Sequence, residues 1–155
     1  MRNILIPTDG SARAEYAFGQ AAFYAGRYAA RLHVLHVDTA EAMEAGVLVR
    51  VPPSNPGGFR ARLHEAAAES IGVEIVQADL LAKSPEEGIL DYARGHDIDL
   101  IVMATHGRRG LDHALLGSVA EGVARRAACS VLTINPTAEN TGEDVENIIA
   151  PVDFS

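Results

Sequence analysis

The chain has 155 residues, 48% of them apolar and 22% charged, with a formal net charge of −8 at pH 7. That length is about one domain, able to bury roughly two-thirds of its unfolded surface in one core. The acidic balance excludes a general nucleic-acid binder, whose affinity rests on Lys and Arg neutralising phosphates, and Asp, Arg, His or Gly interrupts every apolar run well short of the roughly 20 residues of a membrane-crossing helix. Residues 3–7, NILIP, form a short continuous apolar run, the pattern of a strand buried on both faces of a parallel sheet. The chain enters that run directly after Met1 and Arg2, without the apolar stretch and cleavage site of a signal peptide. The lone Cys129 lies in apolar surroundings and reads as a buried structural thiol; a cytoplasmic location is expected.

A helix is predicted from Ser11, with Ala14, Phe18, Ala21, Ala22 and Ala25 recurring at three and four residues and small enough for close packing on a sheet. RLHVLHVD, 31–38, is the second strand. Residues 39–57 lose all period and gather Pro52, Pro53 and Pro56, which reads as a long surface loop. An alanine-rich helix is predicted from Phe59 to Ile71, a third strand over 73–81, and a helix from Pro85 to about Arg94, where Ser84 and Glu87 form a capping box. DLIVMAT, 99–105, is the fourth strand. Val119, Val123 and Ala127 mark a further helix, and SVLTI, 130–134, is the fifth strand. Five strands joined by helices imply an α/β class, an open doubly wound parallel sheet with helices on both faces.

Such sheets bind ligands beyond the carboxyl ends of their strands, where strand order reverses. After the first strand come Asp9 and Ser11; after the second, His36, Val37 and Asp38; after the fourth, the stretch ATHGRRGLDHALLGSVAEGV, 104–123. Asp9-Gly10-Ser11 reads equally well as a turn and helix cap. Gly117 and Ser118 sit at a helix start, whose first N–H groups lack partners and favour an anion. Arg108 and Arg109 are candidate phosphate partners, or else ordinary solvated loop charges. His106 and His113 flank the loop and read as packing or capping residues rather than as catalysts.

NILIPTDGS at 3–11, LHVLHV at 32–37 and DLIVMATHGRRGLDHALLGSVAEGVARRAACSVLTI at 99–134 resemble the universal stress protein family. The resemblance implies strand order 3-2-1-4-5, a homodimer through the fifth strand, Val131 to Ile134, and, in one branch, ATP in the cleft at the strand ends. That branch is similar to a pattern G-x2-G-x9-G-[S/T]. Gly107, Gly117 and Ser118 match it and Ala104 replaces the first glycine, a change that would crowd the turn if its φ is positive and be harmless if negative. By position, Pro7, Thr8 and Asp9 would line the nucleoside, Val37 would contact adenine with Met103 as a neighbouring contact, Gly107, Arg108, Gly117, Ser118 and Val119 would surround the phosphates, and Ala104 would stand at the ribose or the phosphate turn.

The resemblance implies an adenine-nucleotide (ATP, ADP or AMP) binding module, with Mg as a companion of the nucleotide, that acts in stress response as a dimeric regulator with slow hydrolysis at most. The alternative is a nucleotide-free member that serves as a dimerising interaction module. A nucleotidyl transferase would carry a His-x-Gly-His signature or a Ser-Gly-Gly loop near the first strand, and a phosphoaccepting receiver domain an acidic cluster with a late lysine; PTDGSARA and the fifth strand supply neither. Finally, NIIAPVDFS at 147–155 echoes NILIPTDGS. The expected organisation is therefore a nucleotide-binding domain over 1–135, an acidic linker over 136–146, and a partial repeat of the first strand over 147–155 that opens a second domain or adds a strand, 147–152, near the dimer edge.

Overall fold

The computed structural model describes residues 1–39, 72–104 and 117–134. The loop and helix predicted between 40 and 71, the glycine loop over 105–116, the linker and the echoing tail lie outside the described residues. The described elements are strand β1 (Asn3–Thr8), helix α1 (Ala12–Tyr28), β2 (Arg31–Thr39), β3 (Ile75–Ala82), α2 (Pro85–Gly95), β4 (Leu100–Ala104), α3 (Ser118–Arg126) and β5 (Ser130–Ile134). All five strands are parallel, in the order β3-β2-β1-β4-β5. The order reverses between β1 and β4, so the helices that follow them, α1 and α3, pack on opposite faces and leave a crevice between the two strand ends.

Alternation along the strands sorts the core into two layers. Ile4 and Ile6 of β1, Leu32 and Val34 of β2, Leu100 and Val102 of β4 and Ile134 of β5 face α1, where Ala17, Phe18, Ala21, Ala22 and Ala25 complete a buried cluster. Leu5, Leu35, Ile101 and Met103 face the other way, onto Ile89, Leu90, Tyr92 and Ala93 of α2 and Ala120 and Val123 of α3. Ile4, Leu5 and Ile6 are all fully buried, which is why these three successive positions are all apolar: β1 is the centre of the sheet and is covered on both faces there. The alanines of α1 let that helix approach the sheet closely, as the sequence pattern predicts.

The ends of the elements follow from local chemistry. Ser11 caps α1 by accepting from the Ala14 N–H, and Ser84 caps α2 by accepting from the Glu87 N–H at 3.2 Å, the hydroxyl half of the predicted capping box. The Asp99 carboxylate accepts from the N–H groups of Arg2 and Asn3, which ties the entry to β1 to the entry to β4 and holds this carboxyl below its usual range. The third strand begins at Ile75 rather than at Val73. It is an edge strand paired only with β2, and Gln77, Asp79 and Leu81 are exposed along it, so its pattern is mixed where the central strands are solidly apolar. Cys129 is half-buried, and burial pushes its thiol up, which keeps it protonated.

Among the described residues, His33 of β2 is the one buried polar side chain. Its Nδ1 lies 3.0 Å from the Tyr92 hydroxyl, while Nε2 has no partner. His96 stacks on Tyr92 with ring centroids 3.8 Å apart. Burial, and then the neighbouring His96 and Arg31, push the His33 imidazole below the ordinary histidine range. The unfolded chain takes up a proton at the ordinary value near 6.5, whereas the folded chain resists it. Stability is therefore full above about pH 6.5 and falls as the pH drops from there towards the lower value of the folded state. The melting temperature should be lower at about pH 5.5 than at about pH 7.5, and His33→Phe should flatten that slope; an equal slope in the variant would assign it to other groups.

Candidate functional site

β1, β2 and β4 end on one side of the sheet, and a cavity of about 310 Å³ opens between their ends. β1 and the turn after it supply Pro7, Thr8, Asp9 and Ser11; β2 supplies Leu35, His36 and Val37; β4 supplies Met103 and Ala104. Gly117, Ser118, Val119 and Ala120 at the start of α3 close the far side, and Ala14 of α1 with Pro85 and Ile89 of α2 complete the wall. Nine of the eleven residues singled out from the sequence thus border one space: Pro7, Thr8, Asp9, Val37, Met103, Ala104, Gly117, Ser118 and Val119. The other two, Gly107 and Arg108, lie outside the described residues, as do His106, Arg109 and His113.

The turn after β1 is built by its own side chains. Thr8 Oγ1 accepts from the Gly10 N–H at 3.0 Å, and Asp9 Oδ1 accepts from the Ser11 N–H at 2.9 Å. Gly10 has φ +74°, a left-handed conformation that favours glycine. The turn-and-cap reading of Asp9-Gly10-Ser11 is therefore correct as structure. It does not conflict with the binding reading, since a carboxylate has about four acceptor sites.

At the start of α3 the cap residue is Gly117, with φ −58° and ψ 150°, and no side chain caps the helix, unlike the serine-capped α1 and α2. Ser118 is the first helical residue and is exposed, so capping is not its role. The first-turn N–H groups, which have no acceptor within the helix, border the cavity and carry the positive end of the helix dipole. Ala104 lies within β4, and among the described non-glycine residues only Ala29 and Asp97 have positive φ. The added methyl at Ala104 therefore carries no backbone strain.

The floor is apolar, formed by Leu35, Val37, Ile89 and Met103. Val37 is held from behind by α2: a Cβ on the buried Gly88 would lie 2.7 Å from Val37 Cγ1 and 3.1 Å from Ala82 Cβ. His36 stands at the rim, with Nδ1 2.9 Å from the Thr8 carbonyl oxygen and Nε2 3.3 Å from Asp38 Oδ1. Pro85 and Ile89 were not singled out from the sequence, and His36 was placed at the end of the second strand without a ligand role of its own. The signal for α2 was its start immediately after β3, at the same end of the sheet, since a right-handed crossover from β3 to β4 carries that helix over the strand ends. Among the described residues no group of three or more His, Cys, Asp or Glu is arranged to hold a metal, and no helix is long and apolar enough to cross a membrane.

Residues 1–135 match the model of the universal stress protein family. A universal stress protein of Methanocaldococcus jannaschii is 32% identical over 139 residues, covering 86% of this chain and 81% of that one. The fold is also that of a universal stress protein solved in complex with cAMP, at 22% identity and a TM-score of 0.63, covering 86% of this chain and 96% of that one. The universal stress protein from Archaeoglobus fulgidus in complex with dAMP superposes with a TM-score of 0.59 at 22% identity, over 86% of this chain and 97% of that one.

Proposed function

From the premise that this chain belongs to the universal stress protein family, we propose that it is a stress-response module that binds an adenine nucleotide, ATP foremost, in the cavity at the ends of β1, β2 and β4. One observation carries the reading: a single space joins an apolar floor for a base, the Asp9 carboxylate for hydroxyls, and the uncapped first turn of α3 for phosphate. The cAMP and dAMP complexes of the two fold relatives support adenine as the base. ADP and AMP fit the same donor set, and Mg would enter with the phosphates. In this reading Val37 and Met103 flank the base and Pro7, Thr8 and Asp9 the sugar. Ala104, Gly107, Arg108, Gly117, Ser118 and Val119 lie towards the phosphates, whose negative charge the α3 terminus offsets. The role is binding and signalling, with hydrolysis slow at most. The nucleotide-free alternative rests on Ala104, and the absence of a positive φ at that residue supports the nucleotide reading over it.

Acid extraction of the purified protein followed by chromatography should release ATP, ADP or AMP, and calorimetry should give a micromolar Kd, about −8 kcal/mol. A protein that carries no nucleotide and gives no heat with any of the three would overturn the reading.

The nucleotide-responsive unit we propose is a homodimer joined along β5. Among the described strands this one is an edge of the sheet, with Val131, Leu132 and Thr133 half-buried, and a parallel edge strand suits a two-fold contact. Leu132→Lys should shift the mass from dimer to monomer in light scattering at micromolar concentration; a monomeric parent would remove the interface. Ile134 is unsuitable for the same test, because it is buried in its own chain's core and lysine there would unfold the sheet.

A further inference from the structure

We propose that His36 is a positioning residue of the cavity that couples nucleotide binding to proton uptake. This rests on the reading of the cavity as a nucleotide site. In the sheet, His36 lies opposite Thr8 on β1 and opposite Asp79 on β3. Its Nδ1 is 2.9 Å from the Thr8 carbonyl oxygen, which can only accept, so Nδ1 carries a hydrogen and donates. Its Nε2 is 3.3 Å from Asp38 Oδ1, and an ionised carboxylate also only accepts. A neutral imidazole has a single N–H and meets one of these oxygens; the imidazolium meets both.

Asp38 on the same strand stands against the ring, Asp79 lies opposite His36 on β3, and Asp9 lines the same cavity from the end of β1. From α1 the lining residues are Ser11 and Ala14, and from α2 Pro85 and Ile89, none of which titrates in the neutral range. Among the described lining residues none is Lys or Arg, and His36 is the one side chain able to become cationic. A phosphate-bearing ligand therefore binds the protonated form better, and by linkage its binding draws in a proton. The same ring fixes geometry. Its bond to the Thr8 carbonyl sets the strand end that carries Pro7 and Asp9 against the strand that carries Val37, so the sugar-side and base-side contacts keep their separation.

The test is calorimetric titration of the full chain with ATP at about pH 6 and about pH 8, for the parent, His36→Asn and His36→Leu. The parent should bind about five-fold more tightly at the lower pH, with a buffer-dependent heat that reports proton uptake. Asparagine keeps a donor for the Thr8 carbonyl but gains no proton, so this variant should bind with a shallower pH slope; leucine loses the donor too and should bind more weakly than asparagine at both pH values. The ionisation of ATP itself contributes equally to all three, so the difference in slope belongs to His36. Equal slopes in the parent and His36→Asn would overturn the proton coupling, and equal affinities for the two variants would overturn the positioning role. A parent that binds ATP at neither pH would overturn the nucleotide reading itself.

Discussion

Leu5→Ala should lower the unfolding free energy by about 3–4 kcal/mol and the melting temperature by roughly 10 °C. Leu5 is fully buried at the middle of β1, paired in register with His33 on one side and Ile101 on the other. Its side chain belongs to the cluster of Leu35, Ile89, Ile101 and Met103 beneath α2. Two ladders hold the backbone at this position, so the site has little freedom to collapse around the missing methyls, and the cavity left behind places the cost towards the upper part of the usual range. Leu81→Ala on the edge strand is the control: Leu81 is 57% exposed, and its truncation should change stability by less than about 0.5 kcal/mol. Denaturant unfolding of both variants checks the pair. A loss of under about 1 kcal/mol for Leu5→Ala would mean that α2 settles into the space and that the second core layer is softer than its burial indicates.

Gly117→Val should weaken ATP binding about 100-fold, close to 2.7 kcal/mol, while the chain stays folded. The backbone at Gly117 has φ −58° and ψ 150°, an extended conformation open to any residue, so valine costs only the poorer cap, about 1 kcal/mol or less. What valine changes is the approach. Gly117 borders the cavity at the point where the free N–H groups of α3 begin, and a branched side chain there occupies the path by which a phosphate would reach them. Calorimetry gives the affinity, and the melting temperature, expected within roughly 3 °C of the parent, shows that the fold is intact. Equal affinity in variant and parent would remove the start of α3 from the phosphate site.

Much of this arrangement was legible in the sequence, and the reasons are local. NILIP and DLIVMAT read as doubly buried strands because β1 and β4 are covered on both faces. Ser84 with Pro85 marked the start of α2 because capping chemistry acts over three residues. The cavity followed from a topological rule applied to the strand ends. The remainder needed contacts that cross the chain. The partnership of His33 and Tyr92 spans 59 positions, and nothing within either segment signals it. Ile89 looked like an ordinary core position of an amphipathic helix, which it is; only the packing of Gly88 against Val37 brings that part of α2 to the cavity wall. Which of Gly117 and Ser118 holds the cap position was not legible, because sequence alone leaves a helix start uncertain by a residue or two; Gly117 holds it.

Because all the strands run the same way, the chain has two chemically distinct poles. Residues Arg2 and Asn3, fastened to Asp99, lie at one of them. The cavity lies at the other, a strand's length of roughly 17–20 Å away. An affinity handle, fluorophore or surface tether attached at residue 1 therefore sits behind the sheet and leaves the mouth clear, so immobilised protein can be titrated with nucleotide from solution. A label placed on the exposed Ser118 would stand at the rim and compete with the ligand it is meant to report.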